Sequence, residues 1–104
     1  MEQIAFLMRL KPGREQEYRR RHDAIWPELK AALTAAGIRD YSIFLDPITL
    51  TLFAVLRLTA DNTRETLSSL PIMRRWWDSM AELMEVDSTN KPIDQVLTPV
   101  FHMD

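Results

Sequence analysis

The chain has 104 residues, of which 46% are hydrophobic and 27% are charged, so it can form one core and is expected to be a single domain over residues 1–104. Thirteen basic and fifteen acidic side chains give a net charge of −2, which argues against binding to nucleic acid or to an anionic membrane. The sequence contains no cysteine, which excludes disulfides, thiolate metal sites and cysteine nucleophiles. No apolar run is long enough to span a bilayer, and the N-terminus does not resemble a signal peptide, so we expect a cytoplasmic protein.

The first half of the chain is predicted to form a strand, two short helices and a second strand. The apolar run at residues 4–10 is typical of a buried strand and ends in a Lys-Pro-Gly turn. The charged stretch at residues 14–23 predicts an exposed helix. A second helix is predicted over residues 27–36, because proline suits the first helical position and Gly37 can end the helix. The second strand is predicted over Ile38–Asp46.

The second half is predicted to begin with a strand at residues 50–58, which a short turn at Pro47 joins to the second strand as an antiparallel hairpin. Its alternation places one apolar set on a single face: Leu50, Leu52, Ala54, Leu56 and Leu58. A short helix is predicted over residues 62–70 and an amphipathic helix over residues 72–84. A polar loop follows, and a last strand at residues 96–102 is confined to a sheet edge by Pro99.

This order, β-α-β-β-α-β, predicts a ferredoxin-like α+β fold. The first and third strands are apolar on both faces, whereas the helices of this topology cover only one face of the sheet. An exposed apolar face usually marks an interface, so we predict a two-fold homodimer in which the open faces pack together. The alternative is that the irregular segments fold back over that face.

His22 is the main candidate for chemistry. Tyr18 and His22 lie four residues apart and share one face of the first helix, in register with the apolar positions that follow. His22 falls in the last turn, where unpaired carbonyls and the negative end of the helix dipole would favour an imidazolium. A histidine there could donate a proton near neutral pH. The alternative is a histidine with a purely structural role.

Aromatic side chains provide the candidates for ligand contacts. Tyr41 begins an apolar row in the second strand, so its ring is expected in the core and its hydroxyl at a wet boundary. Trp76 and Trp77 are either core residues or a stacking wall for the C–H face of a sugar. His102 is expected to be structural, and no set of ligands suits a zinc site. The clustered arginines are expected to form a solvated face: Arg19, Arg20, Arg21, Arg74 and Arg75.

Four segments spread over nearly the whole chain resemble the L-rhamnose mutarotase family: Tyr18-Arg-Arg-Arg-His22-Asp-Ala-Ile-Trp-Pro-Glu-Leu29, Tyr41-Ser-Ile-Phe-Leu-Asp46, Arg75-Trp76-Trp77 with Met80, and Val100-Phe-His. The resemblance implies a dimeric α+β barrel of ferredoxin-like protomers and interconversion of the α and β anomers of L-rhamnose. It also implies that His22 is the catalytic acid/base and that four aromatic residues hold the sugar: Tyr18, Tyr41, Trp76 and Trp77. Ala24 stands where relatives commonly have proline, which a loop can tolerate.

The chemistry of anomer exchange suits these residue types. Ring opening and closure move protons but no electrons or hydride, so we expect neither a cofactor nor a metal. Two other functions stay open on the residues alone. One is a cofactor-independent monooxygenase of the same fold, and the other is a non-catalytic dimeric sugar-binding module.

Overall fold

The computed structural model describes residues 1–104 and contains four strands, three α-helices and two short 3-10 helices. The strands are β1 (Glu2–Arg9), β2 (Ile38–Asp46), β3 (Thr51–Leu58) and β4 (Gln95–Val96). The helices are α1 (Glu15–Asp23), α2 (Pro27–Ala35) and α3 (Pro71–Met80), with 3-10 helices at Arg64–Ser69 and Ala81–Leu83. The predicted α+β class is therefore confirmed. None of the helices has the length and apolar character needed to cross a bilayer.

The four strands form one antiparallel sheet in the order β2-β3-β1-β4. β4 lies at the edge, as predicted, but the prediction of a strand over residues 96–102 is wrong. Only Gln95 and Val96 form the strand, and the last backbone hydrogen bond to β1 runs from Leu97 N–H to the Ala5 carbonyl. Pro99 has no N–H to continue the ladder, so the final residues leave the sheet.

The break between α1 and α2 follows the prediction. α1 ends at Asp23, Trp26 has an extended backbone (φ −61°, ψ 127°), and Pro27 is the first residue of α2. Proline disfavours helical geometry in the residue before it and pre-sets the first helical turn. This break turns the chain, so that α1 and α2 are separate helices on one side of the sheet.

The core lies between the helices and one face of the sheet. In β3 the predicted inward set is buried, with Leu52 and Ala54 at 1% and 0% exposure, whereas Phe53 on the opposite face is 42% exposed. Cross-strand pairing places Leu7 of β1 and Phe44 of β2 directly opposite Phe53. The far face of the sheet therefore carries an apolar row in which Phe44 and Phe53 are exposed and Leu7 is half-buried, and the alternative in which irregular segments cover that face is wrong.

Gly37 closes the turn from α2 into β2 and is a predicted weak point of the fold. Its φ of +91° is strained for other residues, and a Cβ would lie 2.3 Å from Thr59 Oγ1 and 2.7 Å from Asn62 Cβ. Gly13 has a similar φ of +79° with no atom near its Cβ position. We expect Gly37→Ala to lower the free energy of unfolding by about 3 kcal/mol or more, and Gly13→Ala by only about 1 kcal/mol. Urea denaturation measures both, and equal losses would contradict the steric explanation.

Candidate active site

Tyr18 and His22 lie side by side on the inward face of α1. Tyr18 is the buried residue of this helix, His22 is half-buried, and their ring centroids are 4.3 Å apart. Beside them on the helix surface, the Arg21 guanidinium donates to Glu17 (2.6 Å), Glu82 (2.7 Å) and the Ser79 carbonyl (2.6 Å). Arg21 thus ties α1 to the end of α3 and keeps Tyr18 and His22 facing the interior.

The His22 imidazole is held by its own helix. Its Nδ1 lies 3.0 Å from the Tyr18 carbonyl oxygen. Because a carbonyl can only accept a hydrogen bond, Nδ1 carries the proton, and in the neutral ring Nε2 is left with a free lone pair. No protein atom is hydrogen-bonded to Nε2, so this nitrogen is available to a ligand.

The electrostatics of His22 correct the expectation that its imidazolium is favoured. Burial lowers the pKa of His22 below its usual 6.5, and the Tyr18 carbonyl and the Asp23 carboxylate oppose that change only in part. The carbonyl that favours the imidazolium belongs to Tyr18, one turn before His22, and not to the unpaired last turn of α1 on which the prediction relied, and desolvation of the ring is the larger effect. At neutral pH His22 is therefore a neutral base.

Trp76 is both a core residue and a wall of the site. Its indole is 7% exposed and makes edge-to-face contacts with His22 (centroids 5.3 Å apart) and Trp26 (5.1 Å). Trp77 is half-buried, and the Arg74 guanidinium stacks over its ring at 5.3 Å. Trp76 is thus a core residue that also borders the cavity, and its role as a stacking wall for a sugar stays a prediction.

Tyr41 is placed by a bulge in β2. The pairing with β3 shifts register between Arg39 and Ser42, and Asp40 has a positive φ of 48°. A bulge re-aims the side chains beside it. Tyr41 is 41% exposed, and the desolvation of its phenol raises its pKa to about 12. Burial also raises the pKa of Tyr18, so both hydroxyls keep their protons at neutral pH.

All five residues predicted from the sequence line one cavity of about 1320 Å³: Tyr18, His22, Tyr41, Trp76 and Trp77. Phe6, Arg64 and Asp94 also line it, and sequence reasoning did not find them. They carry no local motif, because β1, the 3-10 helix at Arg64–Ser69 and the segment before β4 meet only in the folded chain. His102 lies outside the cavity, with Nε2 2.9 Å from Asp104 Oδ1 in the exposed C-terminal segment.

The arginines expected to be solvated behave mostly as predicted. Arg19 and Arg20 are exposed and pair with acids on their own helix, Asp23 at 3.9 Å and Glu17 at 2.5 Å. Arg21 and Arg74 are the exceptions, because both are half-buried: Arg21 bonds to the end of α3, and Arg74 lies over Trp77 and donates to the Thr89 carbonyl. No cluster of three or more histidine, aspartate or glutamate side chains is arranged to hold a metal ion.

Comparison with known proteins gives one consistent result. A family model described as L-rhamnose mutarotase matches residues 3–103. The chain is 57% identical to an L-rhamnose mutarotase of Burkholderia orbicola over the full length of both, and 53% identical to one of Jannaschia sp. over 99% of both. The crystal structure of an L-rhamnose mutarotase from Formosa agariphila superposes with a TM-score of 0.93, at 42% identity and with complete coverage of both chains.

The different burial of the two indoles predicts different consequences of their removal. Trp76→Ala should lower the free energy of unfolding by about 3–5 kcal/mol, because it opens a cavity against Trp26 and His22. Trp77→Ala should cost roughly 1–2 kcal/mol, because its ring is already half-exposed. Urea denaturation of both variants is the measurement. A larger loss of unfolding free energy for Trp77→Ala would contradict the conclusion that Trp76 is the more deeply buried of the two indoles.

Proposed function

The chain belongs to the L-rhamnose mutarotase family, and on that premise we propose that it is an isomerase that interconverts the α and β anomers of L-rhamnose, with His22 as its acid/base. The observation that carries the proposal is a half-buried imidazole with a free Nε2 in an aromatic-lined cavity. The relatives and the solved structure share this one activity in their names. They favour neither a monooxygenase nor a binding module.

The reaction requires two proton transfers around one carbon. In ring opening the O1–H and C1–O5 bonds break while C1=O1 and O5–H form. Rotation about C1–C2 then presents the other face of the aldehyde, and closure reverses both transfers. O1 and O5 are bonded to the same carbon, so one base that can reach both oxygens is sufficient.

His22 begins this cycle as a base. With Nδ1–H fixed on the Tyr18 carbonyl, Nε2 accepts the O1 proton. The resulting imidazolium then gives that proton to O5, and in closure it acts in the opposite order. The lowered pKa of His22 makes the imidazolium a ready donor and the resting ring neutral. A positioned acid/base of this kind accelerates proton transfer about 10²–10⁴-fold.

The aromatic residues have binding roles in this proposal. Tyr18 and Tyr41 keep their hydroxyl protons, so they donate hydrogen bonds to sugar oxygens, including an oxygen on which negative charge develops. Trp76 and Trp77 present indole surface to the C–H face of the ring and to the methyl group of the deoxy sugar. Holding the open chain between these walls keeps it ready for reclosure.

The direct test is exchange of magnetisation between the two anomeric proton signals of equilibrated L-rhamnose. The protein should accelerate the exchange without net reaction, and His22→Ala should reduce the enzymatic rate about 10²–10⁴-fold. For the unaltered protein kcat/KM should fall as the pH drops through the His22 pKa, below 6.5, and should be flat above about pH 7 because the base form is then complete. His102→Ala is the matched control and should exchange normally. Full activity of His22→Ala would contradict the proposal.

We also propose that the functional unit is a homodimer of ferredoxin-like protomers forming an α+β barrel in the cytoplasm. The strand order supports this assignment, since the edge position of β4 beside β1 is that of the ferredoxin-like pattern. The apolar row of Leu7, Phe53 and Phe44 supports an interface on the far face of the sheet. The C-terminal segment adds exposed apolar side chains that its own protomer leaves uncovered: Val100, Phe101 and Met103.

Sedimentation at micromolar concentration tests the dimer. The unaltered chain should sediment at about twice the protomer mass of 12.2 kDa. Phe53→Lys places a charge in the middle of the apolar row and should shift the protein to the protomer mass. Ile48→Lys is the control, because Ile48 is 90% exposed in the turn between β2 and β3 and should leave the mass unchanged. Only 12.2 kDa species for the unaltered chain would exclude the dimer.

A further inference from the structure

Arg64 stands apart from the other arginines of the chain. Of the ten arginines, only Arg14 and Arg64 make neither an ion pair nor a side-chain hydrogen bond within the protein. Arg14 is exposed at the start of α1, where water satisfies its guanidinium. Arg64 is half-buried and lines the cavity, with its guanidinium carbon 5.9 Å from the centroid of the Phe6 ring.

The backbone around Arg64 is held firmly. Its N–H donates to Asn62 Oδ1 (3.2 Å), and Asn62 Nδ2 donates to the Thr59 carbonyl (2.8 Å). Asn62 also packs against Gly37, with no room for a Cβ at that glycine. These bonds hold the backbone from which the Arg64 side chain extends, and the Phe6 ring is the contact of its guanidinium on the cavity wall.

Arg64 and His22 contact different aromatic side chains of the cavity wall. The Arg64 guanidinium lies over the Phe6 ring of β1, whereas the His22 ring contacts Tyr18 and Trp76. The proposed function places the anomeric carbon of the sugar at His22, which leaves the other hydroxyls of the sugar for Arg64.

We infer that Arg64 is a substrate-binding and specificity-determining residue, whose guanidinium donates hydrogen bonds to sugar hydroxyls remote from the anomeric carbon. The identity of the sugar in this inference rests on the proposed function. A guanidinium offers several donors in one plane, which suits two neighbouring hydroxyl oxygens. Asp94 also lines the cavity and is the obvious competing partner, but it forms no ion pair with Arg64. The donors are free for a ligand.

Kinetics of two matched variants test the inference. Arg64→Met should raise KM for L-rhamnose roughly ten- to hundredfold, the effect of losing a charged hydrogen bond, with kcat within about twofold of the unaltered value. Arg64→Lys keeps a cation with fewer donors and should recover part of the loss. Arg14→Met removes the other unpaired arginine and should leave both constants unchanged. Thermal unfolding of each variant confirms that it is folded.

Deoxy sugars distinguish a contact from a structural role. With 3-deoxy- or 4-deoxy-L-rhamnose, whichever lacks a hydroxyl that Arg64 binds, the KM ratio between Arg64→Met and the unaltered protein should be clearly closer to one than with L-rhamnose. A ratio that is unchanged with both analogues, or an unchanged KM for L-rhamnose, would overturn the inference.

Two separate measurements distinguish a failure of the role of Arg64 from a failure of the proposed activity. Exchange by the unaltered protein tests the activity, and NMR titration with L-rhamnose gives Kd for both proteins. If L-rhamnose binds without exchange, the proposed activity fails, while a higher Kd for Arg64→Met still supports the role of Arg64. If the unaltered protein does not bind L-rhamnose, both are overturned.

Discussion

The hydrogen bond between His22 Nδ1 and the Tyr18 carbonyl determines what the site can do. It lies within one turn of α1, so it forms with the helix and needs no distant partner. It fixes the tautomer and leaves Nε2 with a lone pair. Burial then sets the resting charge, because desolvation disfavours the imidazolium more than the carbonyl and Asp23 favour it. A base that is neutral at rest and acidic once protonated is suited to moving one proton back and forth.

Trp76 links the stability of the fold to the geometry of this base. It contacts Trp26 at the break between the first two helices and His22 at the end of α1. The break exists because Pro27 begins a new helix, so one proline and one indole fix where α1 stops. Arg21, which precedes His22 in α1, donates to the Ser79 carbonyl of α3 and to Glu82 of the 3-10 helix that follows. The position of His22 is therefore determined by contacts of α1 with α3 and with the segment after it.

Periodicity predicted the elements well, because a strand buried on one face and a helix bounded by proline and glycine are local patterns. β2 has its predicted bounds, and the predicted inward set of β3 is buried from Leu52 to Leu58, whereas Leu50 belongs to the turn before the strand. The last strand was predicted too long: β1 extends far enough to pair with more residues, but the chain leaves the sheet after Leu97, because Pro99 has no N–H to donate. The charge state of His22 was also predicted wrongly, because burial depends on Trp76, which is distant in sequence. No sequence pattern indicates Arg64 or Asp94, because only the folded chain brings both residues to the cavity that Tyr41 also lines.

The central claim is that His22 is a neutral base with its proton on Nδ1. Long-range ¹H–¹⁵N NMR of ¹⁵N-labelled protein reports both features, and the two histidines of the chain are assigned by comparison with His102→Gln. A pH titration should give an Nδ1–H tautomer for His22 and a pKa below 6.5. An Nε2–H tautomer, or an imidazolium that persists above that pH, would contradict the account.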